Sequence, residues 1–198
     1  INAWMKSLNN WLLVLSVLSC FGCSSPVHED DRGCAFVSDS IQYRVEFMSA
    51  GCVRILSFPE GDTLVTRRLV VDSEKPAFKD YKWEDTGQKL LFRTRELSVV
   101  FDKADVAFTF QETSTGKLLL KEKGDRKARN FKRSVAGGEQ CLEVTQRFVP
   151  TEDEAIYGLG QYQNGIMNYR GKSVLLLQAN MDIVNPFLIS TNGYGVLW

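Results

Sequence analysis

The feature that most constrains the fold of this chain is a series of short segments in which every second residue is apolar. Ile41, Tyr43, Val45 and Phe47 alternate with polar residues, which is typical of a strand with one buried face. Further segments of this kind, separated by turns, span residues 52–58, 64–71, 89–94, 97–102, 107–112, 117–121 and 141–148. With no helical period beyond the first 33 residues, the sequence predicts an all-β protein, a large antiparallel β-sandwich.

The composition is that of one globular domain. The chain has 198 residues, of which 44% are hydrophobic and 24% charged, with a formal net charge of +0. This balance gives no preference for nucleic acids or acidic membranes. Residues 117–133 are rich in Lys and Arg, but Phe131 is the only aromatic residue there, whereas binding of single-stranded nucleic acid needs several. We therefore predict that this basic segment is a solvated loop between strands.

The amino terminus has the pattern of an export signal. After Met5 and Lys6 comes a short apolar segment, residues 11–18, which is shorter than the roughly 20 residues of a membrane span. Residues 1–4 would then lie upstream of the true start or at the edge of a fragment. Residues 1–20 are thus predicted to hold a signal peptide, and residues 21–33 a flexible polar tether.

A lipid anchor is predicted at the end of this signal. The sequence Val-Leu-Ser-Cys ending at Cys20 resembles a bacterial lipobox, in which the cysteine becomes lipidated, and Cys23 is the alternative. We therefore expect an exported bacterial protein on the cell surface or in the periplasm, attached to the membrane only by lipid. The remaining cysteines, Cys34, Cys52 and Cys141, allow one disulfide at most, and buried free thiols are the preferred alternative.

The last fifth of the chain carries the most specific pattern. Strands are predicted over residues 155–157, 173–178, 187–190 and 194–198, the second of them buried because residues 174–177 form an apolar run. We expect Asn185 and Pro186 to interrupt the chain before the third strand, and Asn192–Gly193 to form a hairpin turn.

This stretch contains, in order, YGLGQ, NYRG, QAN, PFLIS and GYGVLW. It resembles glycoside hydrolase family 31, closely over residues 154–198 and loosely over residues 37–198. The resemblance implies that residues 34–198 form the family's N-terminal, galactose-mutarotase-like β-sandwich. The motifs are most similar to those of the α-xylosidase type. In this family a catalytic (β/α)8 barrel follows and uses no cofactor, so we expect the sequence to be truncated before it.

No catalytic residue is predicted within the chain. A retaining glycosidase needs two carboxyl groups about 5 Å apart, and the family draws both from its barrel. The residues around Asp182 do not match the nucleophile motif, and Glu152, Asp153 and Glu154 are expected on a solvated loop. An aldose epimerase would need His with Glu, and the single histidine, His28, lies in the predicted tether. No metal site is predicted.

A supporting role at the substrate site remains. The resemblance implies that residues 178–182 lean over the mouth of the barrel, so that Gln178, Asn180 and Asp182 would bind sugar hydroxyls. The alternative is ordinary turn chemistry. Arg170 either braces its loop by a salt bridge or touches substrate. The face that packs on the barrel would be exposed in this chain, which predicts poor solubility.

A different class of function also fits the sequence. A stand-alone carbohydrate-binding lipoprotein would present a flat aromatic platform, for which Tyr81, Trp83 and Tyr162 are the candidates. A purely structural sandwich has no sequence feature in its favour. The favoured prediction is the N-terminal domain of an exported α-glycosidase acting on terminal α-linked xylose or glucose, and this part alone is expected to be inactive.

Overall fold

The computed structural model describes residues 27–62, 77–124 and 130–198. Within these ranges the chain forms fourteen β-strands and no helix, and all pairs of neighbouring strands are antiparallel. The all-β prediction is therefore confirmed.

Two sheets make up the sandwich. The first has four strands in sequential order: β1 (His28–Glu29), β2 (Cys34–Ser38), β3 (Ile41–Ser49) and β4 (Cys52–Pro59). The second has five, also in sequential order: β5 (Lys82–Asp85), β6 (Lys89–Arg93), β7 (Leu97–Asp102), β8 (Ala107–Glu112) and β9 (Leu118–Lys121). Sequential order means that each strand pairs with its neighbour in the chain, as in a meander.

Aromatic side chains fill the space between these two sheets. Phe36 and Tyr43 of the first sheet meet Phe101 of the second with ring centroids 4.8 and 5.1 Å apart. Tyr43 also meets Phe108 edge-on at 5.9 Å, and Phe36 stacks near Phe92 at 6.5 Å. Each of these residues is buried, so the inward positions of the alternating pattern form one aromatic core.

Two smaller sheets follow. Strands β10 (Asn130–Ala136) and β11 (Glu139–Thr145) form a hairpin. Strands β12 (Ile156–Gln161), β13 (Ile183–Ser190) and β14 (Tyr194–Leu197) form a three-stranded sheet with β13 in the middle. This last sheet carries the candidate site.

The alternating segments predicted β3, β4 and β6–β8 well, whereas β2, β5 and β10 were not predicted. Strand β10 covers the end of the basic run 117–133, so the prediction of a loop is wrong there, and residues 125–129 lie outside the described ranges. The predicted strand 64–71 also lies outside them.

The prediction of a flexible tether is wrong for its last residues. His28 and Glu29 form β1 against β2, and Asp30 makes a two-pronged ion pair with Arg44, with N–O distances of 2.8 and 2.6 Å. The hydrogen bonds of Arg44 and of two backbone N–H groups hold the pKa of Asp30 well below its usual range, against the opposing effect of burial. The polar composition of residues 21–33 indicated a flexible segment, because the sequence alone does not show that β2 and Arg44 pair with it.

Two further predictions near the carboxyl end are wrong. Residues 173–178 form no strand, and Leu175, Leu176 and Leu177 are exposed, because nothing described in this chain covers them. Pro186 does not interrupt the chain but lies within β13.

The three described cysteines are free thiols. Cys34 is buried, whereas Cys52 and Cys141 are exposed, so the expectation of buried thiols holds for one of the three. Burial raises the pKa of the Cys34 thiol to about 11, which makes it unreactive at neutral pH.

Candidate functional site

Glu154 is a buried carboxylate at the end of the acidic loop, with only 3% of its surface exposed. Its Oε1 accepts hydrogen bonds from Ser190 Oγ at 2.5 Å and from the Tyr194 hydroxyl. Its Oε2 accepts one from the backbone N–H of Thr151 at 2.9 Å. The prediction of a solvated loop is therefore wrong for Glu154, because protein donors replace water around its carboxylate.

The electrostatics of Glu154 suit an anchor. Burial by itself raises the pKa of Glu154, but its hydrogen bonds and the charge of Arg170 outweigh burial, and the pKa is lowered. Burial raises the pKa of Tyr194, and its hydrogen bond to Glu154 raises it further. The pair is thus a fixed acceptor and a fixed donor at neutral pH, and neither group is tuned for proton transfer.

Residues 168–170 form an Asn-Tyr-Arg clasp that ties a loop to the start of β12. The Asn168 side-chain oxygen accepts the N–H groups of Ile156 at 3.1 Å and of Arg170 at 3.0 Å. The N–H of Tyr169 donates to the Ile156 carbonyl at 2.8 Å. Arg170 Nη1 donates to the carbonyl oxygens of Thr151 at 2.5 Å and of the buried glutamate at 2.8 Å. Arg170 therefore braces its loop through backbone carbonyls.

Two glycines in β12 allow an irregular pairing with β13. Gly158 pairs with Leu188, and Gly160 pairs with Val184. An advance of two residues along β12 is therefore matched by four residues along β13. Between the glycines, Leu159 has a φ of 64°. Such a bulge bends the strand and redirects the chain that follows it.

Only glycine fits at these positions. A Cβ at Gly160 would lie 2.0 Å from the Ile183 carbonyl oxygen, and one at Gly158 would lie 2.6 Å from that of Phe187. Pro186 lies in the stretch of β13 where the ladder to β12 is interrupted, and there its missing N–H breaks no regular pair.

The predicted substrate-binding residues form a tight turn just before β13. The N–H of Asp182 donates to the Ala179 carbonyl at 2.9 Å, and Asn180 takes a positive φ of 50°, a conformation that Asn tolerates. The Gln178 side-chain oxygen accepts the N–H of Val184 at 2.9 Å. Turn chemistry thus accounts for Gln178 and for the backbone of Asn180, while Asn180 itself is exposed and Asp182 is partly exposed.

This turn lies beside the loop that follows β12. The Gln163 amide nitrogen contacts the Met181 sulfur at 3.4 Å, and Asp182 acts electrostatically on Tyr162. We refer to Tyr162, Gln163, Asn180, Met181 and Asp182 as the turn surface. It combines an aromatic ring with a carboxylate and two amides, and these groups can pack against a sugar ring and bond its hydroxyls.

Tyr162 is held at this surface by two contacts. Its hydroxyl donates to the Leu159 carbonyl at 2.9 Å, and its ring meets Tyr169 edge-on at 6.4 Å and 74°. Desolvation raises the pKa of Tyr162, and the neighbouring Tyr169 and Asp182 add to the effect. Tyr162 is therefore a neutral hydrogen-bond donor across the physiological range.

The other two aromatic candidates for a sugar platform lie on the sandwich. Tyr81 and Trp83 each donate to the Glu29 carboxylate at 2.8 Å, and the ring of Tyr81 stacks on Phe47 at 5.1 Å. Both pack against the core. They thus serve mainly to hold β1, and only Tyr162 of the three belongs to the turn surface.

One side of the three-stranded sheet is apolar and exposed. We call this the apolar face; its members are between 37% and 53% exposed and are Tyr157, Ile183, Phe187, Ile189 and Leu197. Tyr157 pairs directly with Ile189, and Phe187 with Leu197, so these side chains form continuous rows. Contiguous exposed apolar surface of this kind marks an interaction site.

Two other kinds of site are absent from residues 27–62, 77–124 and 130–198. No group of three or more His, Cys, Asp or Glu side chains there is arranged to hold a metal ion. No helix in those ranges is long and apolar enough to cross a membrane.

A family model for the glycosyl hydrolase 31 N-terminal galactose mutarotase-like domain matches residues 42–198. The chain belongs to glycoside hydrolase family 31. The resemblance expected from the sequence is therefore confirmed, and with it the mutarotase-like sandwich.

Among curated relatives, an α-xylosidase of Saccharolobus solfataricus is 32% identical over 174 residues, covering 80% of this chain and 22% of that protein. A family 31 α-xylosidase from Xanthomonas citri is similar in structure, with 30% identity and a TM-score of 0.72 over 87% of this chain and 19% of that one. A soil-metagenome α-xylosidase, solved with xylose, has 25% identity and a TM-score of 0.70, over 88% of this chain and 28% of that one. This family 31 chain thus spans less than a third of each of these relatives.

Proposed function

We propose that this chain is the N-terminal domain of an α-glycosidase that removes terminal α-linked xylose or glucose from oligo- or polysaccharides. The observation that carries the proposal is the likeness to α-xylosidases, at 32% identity over 80% of the chain. The reaction is a retaining double displacement, whose two carboxylates lie in a catalytic barrel outside this sequence. The domain itself contributes no catalytic group.

The apolar face supports the part of the proposal that concerns the barrel. Four large apolar side chains of this face remain exposed to solvent: Tyr157, Phe187, Ile189 and Leu197. Burying each of them in an interface would contribute about 1–2 kcal/mol to its stability. The relatives carry more than twice this length of additional chain. In our proposal the barrel of the same polypeptide packs against this face.

The turn surface supports a contribution to the sugar pocket. Asn180 and Asp182 belong to a turn that is held by the hydrogen bond between Gln178 and Val184, and Gln163, next to Tyr162 in the chain, contacts Met181 of that turn. In our proposal Asn180 and Asp182 bind sugar hydroxyls, and Gln178 holds the turn in place. Carbohydrate recognition commonly combines such polar groups with an aromatic ring.

We also propose that the protein is exported and lipid-anchored in the bacterial envelope. The support is the sequence pattern alone, with lipidation at Cys20 or, as the alternative, Cys23. Both cysteines lie outside the described residues. Growth with a labelled fatty acid would test this: Cys20→Ser should abolish the label, whereas label lost only with Cys23→Ser would move the anchor to the alternative site.

The central test is the activity of the full-length gene product that contains this domain. We expect it to hydrolyse p-nitrophenyl α-xyloside or α-glucoside with retention of anomeric configuration, and we expect the 198-residue chain alone to be inactive. A stop codon directly after Trp198, or a full-length protein inactive on both substrates, would overturn the proposal. Activity on one substrate only would define the specificity.

A further inference from the structure

Arg170 lies at the centre of contacts that join its own loop to the acidic loop at residues 151–154. Its Nη1 donates to the carbonyls of Thr151 and Glu154 at 2.5 and 2.8 Å, while its own N–H is bonded by Asn168. It is half-buried. A cation that satisfies two carbonyls in a partly desolvated place forms strong, directional hydrogen bonds, so the position of Arg170 is tightly fixed.

Tyr169, the residue before Arg170, connects Arg170 to the turn surface. Tyr169 is buried, with 9% exposed, and its ring meets Tyr162 edge-on. Gln163, the residue after Tyr162, contacts Met181 of the turn through its amide nitrogen at 3.4 Å. Arg170 is therefore linked to Tyr162 of the turn surface through one ring contact, that of its chain neighbour Tyr169, although Arg170 touches none of the turn-surface groups in the described contacts.

We propose that Arg170 is a positioning residue for sugar binding. It fixes the Asn-Tyr-Arg clasp, the clasp fixes the Tyr169–Tyr162 ring pair, and the ring pair fixes one side of the turn surface. This inference rests on the proposed function of that surface. It differs from a purely structural role, which would predict no specific change at Tyr162.

The geometry is tested first by 19F NMR after incorporation of 3-fluorotyrosine, in the 198-residue chain carrying Ile189→Lys to limit association through the apolar face. The chain has six tyrosines, and Tyr→Phe variants assign the signals. We expect Arg170→Met, and to a smaller extent Arg170→Lys, to shift the signals of Tyr162 and Tyr169 while Tyr43, buried in the sandwich core, stays in place. Arg95→Met is the matched control, because Arg95 is 76% exposed and bonds only its neighbour Glu96 in the described contacts.

Two results of this experiment would overturn the inference. One is an unchanged Tyr162 signal in both folded Arg170 variants. The other is an equal change at Tyr43 in both variants, which would mean that Arg170 supports the whole fold. If Arg170→Met does not fold, Arg170→Lys alone decides between these results and the expected one.

The consequence for the sugar is tested in the full-length gene product. Arg170→Lys should raise the KM for the α-xyloside about 10-fold with kcat within about twofold, because it disturbs binding and not the chemical step. Arg95→Lys should change neither constant. An unchanged KM, or an equal loss in kcat, would overturn the positioning role. Complete inactivity of the wild-type protein would overturn the proposed function instead, and the NMR result would still decide the role of Arg170.

Discussion

The carboxylate of Glu154 accepts a hydrogen bond from the hydroxyl of Ser190 at 2.5 Å, across 36 residues of the chain. Tyr194 donates to the same carboxylate oxygen. One buried acid thus joins the loop before β12 to both sides of the turn between β13 and β14, and fixes the outer end of the sheet that carries the apolar face.

Removing this carboxylate should destabilise the domain. We expect Glu154→Ala to lower the free energy of unfolding by about 2–3 kcal/mol, because the buried hydroxyl of Ser190 and the partly buried hydroxyl of Tyr194 lose their partner. Urea unfolding measures the change. The matched control is Glu152→Ala at an exposed neighbouring position, with an expected effect within about 0.5 kcal/mol. Equal losses in the two variants would contradict the role of Glu154.

The same carboxyl group should make stability depend on pH. The pKa values of Glu154 and Asp30 are lowered from 4.5 and 3.8 in the folded protein, so the unfolded chain binds their protons more tightly. Their stabilisation is present at neutral pH and is lost as the pH falls below about 4.5. Chemical unfolding at a series of pH values checks this. Glu154→Gln should have a shallower loss of stability in acid, and an unchanged slope would exclude Glu154 as its source.

The ion pair of Asp30 should hold the first strand in place. We expect Asp30→Ala to lower the free energy of unfolding by about 1 kcal/mol, because the pair with Arg44 is two-pronged but partly exposed. Asp31→Ala, at the exposed next residue, is the control and should have almost no effect. Thermal unfolding of both variants distinguishes an ordered segment from the flexible tether that composition predicted.

The bulge in β12 should depend on glycine. Gly160 has a φ of +117° and no room for a Cβ, whereas Gly165 has a φ of +66° and open space within 4 Å of the point where a Cβ would lie. We expect Gly165→Ala to cost about 1 kcal/mol from backbone strain alone, and Gly160→Ala about 3 kcal/mol or more. Unfolding curves of the two variants give the comparison. Equal costs would mean that the close contact with Ile183 is not important.

The apolar face should make the isolated domain associate. We expect the 198-residue chain to bind the dye ANS and to scatter light at micromolar concentration, and Ile189→Lys to reduce both signals severalfold. Val135→Lys, at an exposed apolar position of the β10–β11 hairpin, is the control and should leave most of the signal. A monodisperse wild-type monomer that does not bind ANS would contradict the prediction.

The sequence predicted those parts of the fold that depend on local pattern. Alternating apolar residues indicated β3, and the inward positions Tyr43, Val45 and Phe47 are indeed buried. The same rule missed β5, whose sequence Lys-Trp-Glu-Asp has one apolar residue among four. That strand is stabilised by pairing with β6, the next strand in the chain, and by the hydrogen bond from Trp83 to Glu29. Glu29 lies 54 residues away in sequence, so no local pattern indicates this contact.

The candidate site was less predictable, because its contacts are long-range. An apolar run at residues 174–177 looks the same whether a partner covers it or not, so the pattern could not indicate that these residues are exposed. The acidic loop looked solvated because nothing local indicates that Ser190 and Tyr194 bond Glu154. One available signal was not used: Gly158 and Gly160 lie within an apolar strand, and glycines in that setting are typical of a bulge.

The buried glutamate also sets an order of events during synthesis. The two hydroxyl groups that bond its Oε1, those of Ser190 and Tyr194, follow it in the chain. At a synthesis rate of about 5–20 residues per second, its carboxylate leaves the ribosome seconds before they do. Until then the acid lacks these donors and the last sheet cannot close around it. The two sheets of the sandwich precede Glu154 in sequence and are free to form first. The last sheet, with its apolar face, is therefore completed late, after the sandwich on which the rest of the chain can already rely.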